Sequence, residues 1–72
     1  MATAVLRLNN YLQNRGQLPN FSWEESSNGP ANALNWTMKC KLNGQVLGEA
    51  TSGRKGDAKE AAAAIALRRL GQ

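Results

Sequence analysis

The chain has 72 residues, no histidine, one cysteine, five acidic residues and a net charge of +4. Those counts exclude histidine-based general acid/base chemistry, Ser-His and Cys-His nucleophile pairs, an internal disulfide, and zinc sites built on histidine or on cysteine clusters. At 42% hydrophobic the composition is that of a globular domain, no apolar run approaches the roughly 18 residues of a membrane span, and the core has to rest on packing alone.

The charge is unevenly spread. Arg7, Arg15, Glu24 and Glu25 cancel within residues 1–36. The whole excess lies in residues 37–72, where Lys39, Lys41, Arg54, Lys55, Lys59, Arg68 and Arg69 outnumber Glu49, Asp57 and Glu60. A basic half points to an anionic partner, the plainer alternative being a soluble surface that happens to be cationic. Met1 to Arg7 lacks the charged start and long apolar stretch of a secretory signal. A lone thiol without such a signal points to an intracellular, reducing compartment.

In chain order, residues 4–15 read as a helix. Val5, Leu8 and Leu12, with Tyr11 at the edge, recur at helical spacing. Thr3 is the N-cap candidate and Gly16 the stop. The opposite face carries Leu6, Asn9, Asn10 and Gln13. Leu6 there is either a tolerated surface leucine or an apolar contact on a binding face.

Pro19 breaks the path, and residues 21–24 alternate as a strand does. Ser26 to Pro30 is a loop on composition. Trp36, Met38, Cys40 and Leu42 then alternate with Thr37, Lys39 and Lys41, the pattern of a half-buried strand. Asn43-Gly44 signals a type I′ hairpin turn, so residues 45–51 return antiparallel. A two-residue loop sets Leu42 opposite Gln45 and Cys40 opposite Leu47. Cys40 therefore reads as a small buried hydrophobe and not a nucleophile.

Residues 58–70 form a second helix, rich in alanine. Small side chains let such a helix lie close to a sheet. Two starts compete. Asp57 with Glu60 makes a capping box; alternatively Ser52 caps and Arg54-Lys55-Gly56 form the first turn. The earlier start is preferred, although Gly56 weakens a helix running through it. The fold class is α+β, in the order α-β-β-β-α, with a three-stranded antiparallel sheet and both helices packed on one face.

Three features can form one surface: the outer face of the first helix, the loop Gly29-Pro30-Ala31-Asn32, and the basic start of the second helix with Arg54, Lys55 and Lys59. Lys55 and Lys59 are four apart and share a helical face. They sit at a helix N-terminus, where the macrodipole disfavours cations, which suggests an outside anion; free N–H groups there suit phosphate. The plainer reading is a solvated cluster offset by Asp57 and Glu60. No nucleophile–base pair is available, and Glu24 and Glu25, adjacent on a strand, point to opposite faces and cannot act together. No catalytic residue, metal site, cofactor, membrane contact or small-molecule substrate is expected.

Leu8 to Gln13, Pro19 and Phe21, Gly29-Pro30, Trp36, Cys40 and Leu42, Gly48, Lys55, Ala58-Lys59, Ala62-Ala63, Ala66-Leu67 and Leu70 stand in a characteristic order and spacing. As an ordered set they resemble a double-stranded RNA-binding domain, here expected at residues 4–70. The resemblance implies a module that reads the shape of A-form RNA across about 16 base pairs, touching two minor grooves and the phosphates between them. By position it implies that Leu6, Asn9 and Asn10 meet one minor groove. Pro30, Ala31 and Asn32 would enter the next, and Arg54, Lys55 and Lys59 would bridge the phosphates. The parent would be a larger RNA-processing or RNA-regulating protein.

The chain departs from the family pattern at four places. Many members carry an acidic residue where Asn10 stands, and the loop usually reads Gly-Pro-x-His where Asn32 ends it here. Arg54-Lys55-Gly56-Asp57-Ala58-Lys59 stands where Ser-Lys-Lys-x-Ala-Lys is usual, and Ala50 replaces a usual glycine. Modest affinity is expected. The alternative is a protein-interaction or self-association module acting through the second helix, where Ile65 lies beside Ala61 and Ala64 at a position usually polar.

Overall fold

The computed structural model describes residues 3–71. Helix α1 spans Thr3–Asn14, a 3-10 turn spans Leu18–Asn20, strands β1, β2 and β3 span Phe21–Asn28, Asn35–Leu42 and Gln45–Ser52, and helix α2 spans Lys55–Arg69. The strands form one antiparallel sheet in the order β1-β2-β3, with the helices packed on one face.

The periodicity of α1 turns Leu8 and Leu12 fully inward. Each contributes roughly 1.5–3 kcal/mol by burial. At its C-terminus Gly16 takes a φ of +69°, Gln17 N–H donates to the Leu12 carbonyl at 2.9 Å and Gly16 N–H to Gln13 at 3.1 Å. That is the left-handed glycine termination of a helix. Thr3 is not a cap in its own right. It lies inside α1, and its hydroxyl donates to Glu60 of α2 at 3.3 Å. A carboxylate is a stronger acceptor for helix amides than a hydroxyl.

β1 runs through Asn28, beyond the loop expected from Ser26 onward. Ser26, Ser27 and Asn28 pair with Thr37, Trp36 and Asn35. Backbone pairing with β2 carries these polar residues, so composition gives no sign of them. Asn43 and Gly44 both have positive φ, 54° and 80°, as a type I′ turn requires. Leu42 faces Gln45 as expected, but Cys40 faces Gly48 and not Leu47. The register shifts between Cys40 and Lys41, so β3 gains one residue there. The shift brings Gly48 under α2, where a Cβ would collide with the Ala62 carbonyl oxygen and come within 2.9 Å of the Ala66 nitrogen. Leu47 packs at the margin of the same core.

Helix α2 takes the earlier start. Arg54 is the N-cap residue with no side-chain cap, Ala58 N–H donates to the Arg54 carbonyl at 3.0 Å, and Gly56 lies inside the first turn. Ser52 stays in β3 and accepts from Arg54 N–H at 3.4 Å, so it supports the strand-to-helix turn and does not cap. The Asp57–Glu60 capping box does not form, because the helix has begun before Asp57 and Glu60 turns to α1. Ala58, Ala62, Ala63 and Ala66 are fully buried. Cys40 is buried among them, its Sγ 3.6 Å from the Gly48 carbonyl oxygen and 3.7 Å from that of Ala62. Burial pushes its thiol pKa up, which keeps it neutral.

Candidate nucleic-acid interface

Two of the three expected segments, the outer face of α1 and the start of α2, lie on helices that adjoin through Glu60. On α1, Leu6 is 60% exposed and Asn10 is exposed, one turn apart on one face, with Asn9 beside them half-buried. The first turn of α1 is tied to α2 through Glu60, which accepts from the N–H groups of Ala4 and Val5. The two helices therefore begin side by side, with Lys59 next in sequence to the residue that joins them.

The start of α2 carries Arg54, Lys55 and Lys59. Arg54 and Lys55 are exposed and Lys59 is half-buried. Lys55 and Lys59 lie over aromatic rings of the sheet, Lys55 Nζ 5.7 Å from the centroid of Trp36 and Lys59 Nζ 5.2 Å from that of Trp23. Cation–π attraction holds an ammonium over a ring face and leaves its N–H donors partly free for a further partner. Phe21 packs edge-on against Trp23 at 5.6 Å, which steadies that ring.

Sequence reasoning did not assign Glu25 to this surface. It pairs across the strands with Met38 and so lies on the helix-covered face, where its carboxylate meets Lys55 at 2.7 Å. Alternation from Trp23 was the available signal for the face. That β1 passes close enough to α2 for the ion pair was not readable. The cations at the helix N-terminus thus have part of their compensation inside the molecule. Glu24 points to the other face, as adjacent strand residues must, and pairs with Lys41 at 2.8 Å and Lys39 at 3.8 Å. The Lys41 contact holds the Glu24 carboxyl below its ordinary pKa.

The loop between β1 and β2 holds Pro30, Ala31 and Asn32, all exposed. Ala33 N–H donates to the Pro30 carbonyl at 2.9 Å, and Gly29 takes a φ of +98° at a position where a Cβ would lie 2.8 Å from the Ala33 carbonyl oxygen, so both conformation and space favour glycine. The loop is thus a folded turn. It does not join the α1–α2 surface directly. Asn28 is three strand residues beyond Glu25, about 10 Å farther along the sheet. The result is two neighbouring patches, α1 and the start of α2, and a third displaced from them along the strands.

Asp57 is exposed in the first turn of α2, an acidic group among the expected phosphate contacts. Ile65 is half-buried beside exposed Ala61 and Ala64, which leaves little apolar area on that side of α2. Ala50 is accommodated against the cluster of Met38, Ala58 and Ala62, whereas Gly48 is required.

The family model of the double-stranded RNA binding motif matches residues 4–70. No curated protein matches the chain.

Proposed function

The chain belongs to the double-stranded RNA binding motif family, a family of binding and not catalytic domains whose partner is double-stranded RNA, and we propose that it recognises that RNA by shape. The outer face of α1 lies along one minor groove. Leu6 makes apolar contact there, and Asn9 and Asn10, which both donate and accept, meet 2′-hydroxyls and base edges. Pro30, Ala31 and Asn32 enter the next minor groove. Arg54, Lys55 and Lys59 span the phosphates of the narrow major groove between them.

The observation that carries this reading is the uncapped start of α2 with Lys55 and Lys59 one turn apart above Trp36 and Trp23. Unpartnered helix N–H groups and two ammonium groups offer a phosphate array its charge and its hydrogen bonds together. Affinity is modest, because Glu25 already engages Lys55 and Asp57 faces the same anion. Within a larger RNA-processing protein, neighbouring domains raise the effective concentration and compensate.

A titration with an RNA duplex of about 20 base pairs and its DNA counterpart, at two salt concentrations, tests the reading. The expected result is saturable RNA binding, far weaker DNA binding, and a slope of log K against log salt near −2 to −3, at ~0.7–0.9 per phosphate neutralised. Equal affinity for both duplexes, or no RNA binding at low salt, overturns it.

A further inference from the structure

We propose that Glu60 is a positioning residue for RNA recognition: from α2 it holds the first turn of α1, and with it Leu6, in place beside Lys59. The inference rests on the RNA reading above. The first N–H groups of any helix lack intrahelical partners and are ordinarily met by a residue just before the helix. Here a carboxylate from the neighbouring helix meets them. One Glu60 oxygen accepts from Ala4 N–H and from the Thr3 hydroxyl at 3.3 Å, and the other accepts from Val5 N–H at 3.3 Å.

The remainder of α1 has another anchor. Leu8 and Leu12 are fully buried against Ala63, Ala66 and Leu67. The first turn has only half-buried Ala4 and Val5 in the core, so Glu60 is its polar attachment. Leu6 follows Val5 directly and is 60% exposed. The hydrogen bonds, Ala4 N–H foremost, also hold the Glu60 carboxyl below its ordinary pKa, so it is ionised at neutral pH.

That negative charge sits next to Lys59 and repels phosphate. By charge alone, Glu60 opposes RNA binding, and what it supplies to recognition is geometry. Shape readout depends on the spacing between a minor-groove contact and a phosphate contact. Glu60 links the segment that carries Leu6 to the segment that carries Lys59.

Charge and geometry therefore predict opposite signs. Glu60→Ala and Glu60→Gln remove the same charge, but Gln retains one acceptor oxygen. Both are titrated with the RNA duplex at a temperature where circular dichroism shows them folded. Glu60→Ala is expected to bind about fivefold more weakly than wild type, with Glu60→Gln between the two. Combining Glu60→Ala with Leu6→Ala is expected to cost less than the product of the single losses, because both act through one contact. Affinity for Glu60→Ala equal to or tighter than wild type, or indistinguishable Ala and Gln variants, overturns the proposal. Should Glu60→Ala not fold, Glu60→Gln combined with Leu6→Ala decides: losses that multiply overturn it and losses that do not multiply support it. A wild-type chain that ignores RNA overturns the shape reading and this proposal together. Wild-type binding with Glu60→Ala unweakened overturns this proposal alone.

Discussion

The sheet-facing side of α2 and its first turn belong to one helix and are built on opposite principles. Ala58, Ala62, Ala63 and Ala66 are fully buried, and the backbone of α2 lies so close to β3 that only glycine fits at position 48. At the N-terminal end of the same helix, Lys55 and Lys59 rest on tryptophan rings with no side-chain cap ahead of them. The first region is steric and tolerates no added atom. The second is electrostatic and can be tuned by single charges. Packing by the buried alanines and presentation of charge by Lys55 and Lys59 are therefore separable within one helix, since those two sets of residues do not overlap.

The largest test of that separation is Gly48→Ala. The added methyl group meets the Ala62 carbonyl, and no flexible side chain lies there to yield. Overpacking of this kind is expected to cost about 3 kcal/mol, read as a lower urea midpoint with an unchanged slope. A midpoint equal to wild type would break the steric half of the contrast.

The converse test is Lys55→Ala with Lys59→Ala. Loss of charge-assisted phosphate contacts worth roughly 1.5–3 kcal/mol each is expected to lower RNA affinity at least tenfold. The thermal midpoint should stay near wild type. Singly, Lys59→Ala should cost more than Lys55→Ala, because Lys55 must first leave Glu25. Binding that survives the double substitution would remove the start of α2 from the interface.

A smaller change sharpens the electrostatic half. Glu25→Gln frees Lys55 and is expected to raise RNA affinity by about two- to fivefold, the range set by a surface ion pair of ~0–1 kcal/mol. Glu24→Gln changes net charge equally on the opposite face and should raise it less. Equal gains would show that overall charge matters and the Lys55 pair does not.

The smallest effect concerns acid. Glu24 and Glu60 both have carboxyl pKa values lowered by folding, through Lys41 and through the Ala4 N–H respectively. A lowered folded value means the stabilisation is fully present above the ordinary glutamate pKa and is lost as pH falls through the folded value. The thermal midpoint should decline across and below the ordinary carboxylate range. Glu60→Gln should flatten that decline, and Glu24→Gln should leave it nearly unchanged because its pairs are exposed to solvent.

Sequence by itself determined the order of elements, the burial of Leu8, Leu12, Met38 and Cys40, and the type I′ turn at Asn43-Gly44, whereas it left two starts open for α2. These rest on periodicity, turn chemistry and residue size, which act between near neighbours in the chain. Tertiary structure alone decided that β1 continues through Ser26 to Asn28, that β3 shifts so Gly48 replaces Leu47 opposite Cys40, and that Glu25 and Glu60 turn to Lys55 and α1. In each case the partner lies on another element, 7 to 57 positions away. Close packing and the pairing of charges and hydrogen bonds act through space, and no local pattern records which distant group will be there.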